Sequence, residues 1–263
     1  MNIYEICERK LKYYNYANST VKTYLYYINQ FLNQVDCPPS RITAEIFQQF
    51  LDEYTFTSVS QQNQVINAIR FLYKEALGRK YVKISFTRPR REKHLPRVID
   101  KEYLVNSIDA IHNIKHKAIL SLAYSVGLRV SEVINLRISD IDSDRMVITI
   151  RHAKGRKDRI VPLTDNILYL LRKYYKLHKP RNYLFNGQTG ERYSATSCNA
   201  LVKRYLGKKY HFHMLRHSCF TNLTDQGVDL RVIQKLAGHK SSRTTEIYTH
   251  VSTRLLSQLP LAL

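Results

Sequence analysis

The chain has 263 residues, 44% of them hydrophobic, enough to bury one large core or two ordinary ones and too many for a disordered protein. Lys and Arg number 42 against 21 Asp and Glu, so the formal charge is +21 and the expected partner is a polyanion, nucleic acid first. A membrane surface would also attract this charge, yet the longest apolar run, "AILSLAYSVGL" (118–128), is too short for a bilayer span, contains serines and reads as a buried helix, so no membrane partner is expected. In chain order, "MNIYEICERKLKYYNY" carries acids where a secretory leader would have an apolar stretch. Val21, Tyr24, Leu25, Ile28, Phe31 and Leu32 then recur at helical spacing, with Ser19 or Thr20 as the expected cap. "RITAEIFQQFLDEY" supplies a second helix, and Val65, Ala68, Ile69 and Leu72 repeat the stripe. Residues 1–86 are therefore expected to form a small helical bundle.

Residues 87–99 form a seam. Two prolines and five basic side chains, Arg88, Arg90, Arg91, Lys93 and Arg97, make "TRPRREKHLPRVI" a poor helix. It suits a basic strap contacting DNA phosphates, with a solvated linker as the alternative. From 100 to 263 the pattern mixes helix and strand. Ile119, Leu122, Ala123 and Val126 make a helical stripe, and "RMVITI" and "RIVPL" are β-branched runs joined by the basic "RHAKGRKD". Three further helices are expected in "TDNILYLLRKYYKLHK", "HMLRHSCFTNLTDQ" and "DLRVIQKLAG", the last closed by Gly238. The fold class is mainly α with a small antiparallel sheet. Cys7, Cys37, Cys198 and Cys219 show no C-x-x-C spacing, which fits a reducing cytoplasm.

Several polar residues stand where they need an explanation. Arg129 interrupts the apolar "GLRVSEVINL", and Glu132 three positions on can pair with it, orient its free edge toward a phosphate, or do both. Lys154 precedes Gly155 at a turn tip, where it and its neighbours Arg156 and Lys157 can touch phosphates or reach a groove. His213, Arg216 and His217 fall on successive turns of one helix. That trio suits an anion better than zinc, although His213, His217 and Cys219 leave a metal reading open. His239 follows the Gly238 turn, either as a cap or as a side chain presented into a cleft, and Tyr248 comes nine positions later.

As an ordered set, "GLRVSE", the "KG" hairpin, "H-x-L-R-H", "GH" and the tyrosine nine residues on resemble the tyrosine recombinases of the phage-integrase family, in their short Xer-type form. "STVKTYLYYINQFL" and "VDLRVIQKLAGH" resemble that family's DNA-clasping and catalytic helices, so the resemblance covers nearly the whole chain. Ala237, Lys240 and Cys219 depart from the commoner residues, and none removes a catalytic group. The resemblance implies a SAM-like helical clasp, then an α+β catalytic domain in which Arg129, Lys154, His213, Arg216, His239 and Tyr248 are catalytic. Tyr248 would attack a DNA phosphate to give a 3′-phosphotyrosine and a free 5′-hydroxyl. The arginines would grip the non-bridging oxygens, His239 would add a hydrogen bond, His213 would handle the tyrosine proton, and Lys154 would protonate the leaving oxygen. Neither ATP nor a metal is implied. The implied partner is duplex DNA with paired half-sites, held by a homotetramer whose tails, 252–263, dock in trans, with packing in cis as the alternative. A type IB topoisomerase-like relaxing activity and a non-catalytic DNA-binding protein of the same fold are the competing readings.

Overall fold

The computed structural model describes residues 2–35, 37–79, 95–151, 158–188, 190–239 and 241–249. It divides into two compact units, 1–93 and 94–263.

The first unit is helical. Its opening segment, which carries no marked stripe, becomes α1 (Ile3–Tyr13) because Asn2 and Glu5 form a reciprocal capping box. The Asn2 side chain accepts from Tyr4 N, and Glu5 accepts from Asn2 N. In α2 (Asn18–Gln34) the predicted stripe faces inward: Val21, Leu25, Ile28 and Phe31 are buried. The start differs from the predicted cap. Val21 N–H donates to the Ala17 carbonyl at 2.9 Å, so the helical ladder begins at Ala17 and takes Ser19 and Thr20 into the first turn. Next come α3 (Ala44–Glu53) and α4 (Val59–Phe71), the latter capped by Ser58 and continued by a π-helical turn, Leu72–Ala76. Phe31 stacks on Phe47 at 4.5 Å, and Phe50 and Tyr73 meet that pair edge-on. Such stacked and edge-to-face rings account for much of this core.

In the second unit, Ile99 ends the basic seam with a buried side chain, and its N–H donates to buried Ser218 at 2.8 Å. Arg97 is exposed. Two helices follow, α5 (Lys101–Asp109) and α6 (Ile114–Ser125); the second buries Ala118, Ile119, Leu120, Leu122 and Ala123, the apolar run that Ser121 interrupts, and it ends just before Val126 of the expected stripe. Gly127 turns the chain at φ +63, where a Cβ would lie 2.5 Å from the Phe220 ring, so both backbone angle and space demand glycine. After α7 (Val130–Asn135) come strands β1 (Ile141–Asp142), β2 (Val147–Ile150) and β3 (Arg159–Pro162). They form one antiparallel sheet in that order, with Ile148 opposite Val161 on the buried face. The turn carrying Lys154, Arg156 and Lys157 lies outside the described residues, as do Arg88, Arg90, Arg91 and Lys93.

The rest is helical: α8 (Asp165–His178), α9 (Ala195–Tyr205), α10 (Phe212–Asp225), α11 (Leu230–Ala237) and α12 (Arg243–Glu246). Asp229 caps the start of α11 and Gly238, at φ +60, ends it. Among the described residues no helix is long and apolar enough to cross a membrane.

Candidate active site

Three chain segments converge on one cleft of about 560 Å³: the Gly127–α7 turn, the first turns of α10, and the α11–α12 segment that ends at Tyr248. Arg129, His213, Arg216, His217, His239 and Tyr248 all line it. Five of the six proposed catalytic side chains therefore share a surface, although they lie up to 119 positions apart in sequence; the sixth, Lys154, is outside the described residues.

Arg216 is the centre of this arrangement. It is completely buried, and among the described residues no carboxylate pairs with it. Its Nη1 donates to the Gly127 carbonyl and its Nη2 to the Ala237 carbonyl, both at 2.6 Å, while the guanidinium stacks 4.7 Å over Phe220. These acceptors are neutral, and Glu132, whose charge acts on Arg216 from a distance, is itself held by two arginines, so no carboxylate touches the buried cation. A buried charge without a counterion is costly. Burial, with Arg129 nearby, pulls its pKa down to about 10, and it remains a cation at neutral pH. The remaining need is for an anion.

His239 is held from both ring nitrogens. Arg216 Nη2 lies 3.1 Å from Nε2, and Thr245 Oγ1 lies 2.9 Å from Nδ1. An arginine can only donate, so Nε2 accepts and the proton sits on Nδ1, donated to the fully buried Thr245. Of the capping and cleft readings of His239, the ring takes the second: it faces the site, and only the backbone N–H joins the helix end, donating to the Gln234 carbonyl at 3.1 Å.

Tyr248 is 1% exposed and packs edge-on against Phe220 at 5.4 Å, with the His239 ring nearly parallel at 6.4 Å. Burial raises its pKa, and Arg216 and Arg129 pull against that rise, Arg216 also through a hydrogen bond. Its hydroxyl is protonated at neutral pH and needs a proton acceptor in order to act as a nucleophile. Two imidazoles are near. His213 and His217 stand on successive turns of α10 with ring centres 4.6 Å apart, and His217 is 5.8 Å from the Tyr248 ring. Partial burial, Arg216 and Arg129 lower the His213 pKa; burial, His213 and Arg216 push His217 down to about 4. Both are neutral near pH 7, the form that accepts protons.

The pairing expected between Arg129 and Glu132 is present: Arg129 Nη1 and backbone N both donate to Glu132 at 2.8 Å. A larger claimant was not visible in the sequence. Arg159, in "RIVPL", grips Glu132 with two N–H groups at 2.7 and 2.9 Å. In sequence it is the last of four consecutive charged residues, 156–159, before a β-branched run, and nothing local indicated a partner 27 positions away. The zinc reading also meets a correction, because Cys219 does not share the histidines' face. Residues two apart on a helix point differently, and the Cys219 thiol turns toward the Ser125 carbonyl at 3.8 Å, with burial raising its pKa to about 12.

Comparison with known proteins assigns the fold. The family model described as "Phage integrase family" matches residues 97–254, and that described as "Phage integrase, N-terminal SAM-like domain" matches 3–83. The chain belongs to the phage integrase family. Tyrosine recombinase XerA of Pyrococcus horikoshii is 33% identical over 92% of this chain and 86% of its own length. Tyrosine recombinase XerD of Proteus mirabilis is 30% identical over 88% and 80% respectively. Among solved structures, XerA recombinase superposes with a TM-score of 0.56 at 28% identity, covering 97% of this chain and 95% of that one. XerH recombinase bound to its palindromic difH substrate reaches a TM-score of 0.70, covering 97% and 82%; at 22% identity it bears on the fold alone. This integrase-family chain is thus a tyrosine recombinase, mostly helical with a small three-stranded antiparallel sheet among its described residues.

Proposed function

We propose that this recombinase cuts and rejoins duplex DNA at specific sites by transferring one strand to Tyr248 and then to a new 5′-hydroxyl. The observation that carries the proposal is the buried Arg216 cation, touched by no carboxylate among the described residues and set between His239 and Tyr248 in a cleft that Arg129 also lines. A phosphodiester would supply the missing anion. Arg129 and Arg216 hold its non-bridging oxygens, where fixed positive donors stabilise the pentacoordinate transition state. When the phosphate takes Arg216 Nη2 away from His239 Nε2, protonation of that nitrogen lets His239 donate to the same oxygens, and Glu132 orients Arg129. His213, neutral and at the cleft wall, takes the Tyr248 proton as the phenolic oxygen bonds to phosphorus and the 5′-oxygen leaves. Lys154 protonates that oxygen. Each phosphodiester broken is replaced by a phosphotyrosyl ester, so the exchange needs neither ATP nor a metal cofactor.

Arg88, Arg90, Arg91, Lys93, Arg97, Arg156 and Lys157 are proposed as DNA contacts that track the backbone, in keeping with a charge of +21. The domain reading is a helical DNA-binding unit over 1–86, a basic linker over 87–99 and a catalytic unit over 100–263. The working species is a tetramer on two sites, with the tail, 252–263, exchanged between protomers. The test is to trap the protein on DNA in expressing cells and sequence the covalent junctions. A single recurrent inverted repeat supports site-specific recombination. Junctions scattered without a common sequence, together with relaxation of a supercoiled plasmid, would instead establish topoisomerase-like activity.

A further inference from the structure

The sequence and the family resemblance leave Arg159 without a role, yet it is the most completely engaged cation at the edge of the site. It sits at the start of β3 with its side chain 9% exposed. Its Nη1 donates to Glu132 Oε1 at 2.7 Å and its Nη2 to Oε2 at 2.9 Å, a two-pronged grip. Its Nε donates to the Leu236 carbonyl at 2.9 Å, one of the carbonyls left free where α11 ends. The Gly238 turn rests on its stem, since a Cβ there would meet Arg159 Cδ at 3.1 Å. One side chain therefore touches both the acid that holds Arg129 and the turn that presents His239.

We propose that Arg159 is a positioning residue for strand cleavage: it satisfies the charge of Glu132 so that Arg129 stays available to the phosphate, and it fixes the turn leading into His239. Charge balance makes the first half concrete. Glu132 carries one negative charge and receives two arginines, so the trio holds a net positive charge at the cleft. Each carboxylate oxygen accepts two N–H groups, one from each arginine. Burial pulls the Glu132 carboxyl up, and Arg159 with Arg129 more than reverses this, bringing it down to about 2. Without Arg159, Arg129 becomes the sole partner of a buried carboxylate. Its charge is then spent on Glu132, and among the described residues that line the cleft Arg216 alone still offers a cation with no carboxylate in contact. The second half follows from position. Arg159 and Arg216 hold the adjacent carbonyls of Leu236 and Ala237, the last two residues of α11, three and two positions before His239. Losing one of the two holds lets the turn shift.

The inference rests on the recombinase reading, and its test separates the two. Nicked duplexes with randomised arms are offered to the unaltered protein, and one captured sequence is then used to measure single-turnover cleavage and binding. Arg159→Met should slow cleavage by about 30-fold or more while affinity changes by less than about three-fold, because the lost interaction acts on the transition state. Adding Glu132→Gln should then restore at least about five-fold of the rate. The neutral amide still accepts the Arg129 backbone N–H and no longer consumes its charge, and a purely structural Arg159 would show no such rescue. Circular dichroism melting accompanies each variant. Should Arg159→Met not fold, Arg159→Lys serves in its place: it keeps the charge but cannot span both oxygens, and it should cleave several-fold more slowly at unchanged affinity. Wild-type cleavage in the folded variant, or a loss confined to affinity, or absence of rescue by Glu132→Gln, would overturn the inference alone. No covalent adduct with the unaltered protein would overturn the function reading beneath it.

Discussion

The two units bury different things. The first closes over aromatic and aliphatic side chains, Phe31, Phe47, Phe50 and Tyr73 among them, and among its described residues no charged side chain is buried. The second encloses Glu132, Asp140 and Arg216, together with Thr245 and Ser218. Asp140 is matched by Arg151, and Glu132 by two arginines; Arg216 has carbonyls, His239 and Tyr248, and among the described residues no carboxylate in contact. A helical bundle needs no buried cation to be stable. Its presence in the second unit marks where fold stability is traded for chemistry, since a desolvated positive charge is worth most to an incoming phosphate.

Substitutions can break that contrast. The largest effect is expected in the first unit: Phe47→Ala, which removes one ring of a stacked pair from a fully buried position, should destabilise the bundle by about 3–5 kcal/mol. Circular dichroism melting reads this directly, and at low temperature the variant should still form adducts. In the second unit the sensitivity is reversed. Arg216→Lys keeps the charge but loses the fork that reaches two carbonyls and a histidine, and should slow single-turnover cleavage by roughly 10²–10³-fold. Half-site binding, measured by gel shift, should change far less.

Acid sharpens the same contrast more gently. His217 has a folded pKa near 4, below its unfolded value of about 6.5, so the unfolded chain binds the proton first. Stability from this group is full above about pH 6.5 and is lost as pH falls toward 4, by an amount on the order of 2 kcal/mol after screening. Melting temperatures across that window should fall for the native protein and flatten in His217→Gln. The smallest effect is assigned to Thr245→Val, which preserves shape and removes the acceptor for His239 Nδ1–H. A cost of about 1 kcal/mol follows, seen as a cleavage rate several-fold lower at unchanged affinity.

The same contrast explains what was legible in advance. The stripe of α2 and the serine-interrupted apolar run of α6 report burial through local pattern, although α6 ends at Ser125, before Val126 of its expected stripe. α1 carried its signal in a cap, Asn2 with Glu5, which period counting alone passes over. In the site, His213, Arg216 and His217 were readable because helical spacing brings them together, and Arg129 because a charge in an apolar run needs a partner. Arg159 was not readable. Its contacts lie 27 and 77 positions away, and only the folded chain brings Glu132 and Leu236 to it. Thr245 was missed for a related reason: its hydroxyl matters through His239, and in sequence it is one of several hydroxyl residues between His239 and Tyr248.

The central claim is that the tyrosine buried beside Arg216 is the group that takes the DNA strand. The most direct measurement is to digest the denatured covalent complex and identify, by mass spectrometry, the residue that carries the nucleotide, with Tyr248→Phe run alongside. The account predicts a 3′-phosphotyrosyl ester on Tyr248, and a variant that binds the same DNA yet leaves no adduct after denaturation. Nucleotide on any other side chain, or an adduct that persists in Tyr248→Phe, would contradict it.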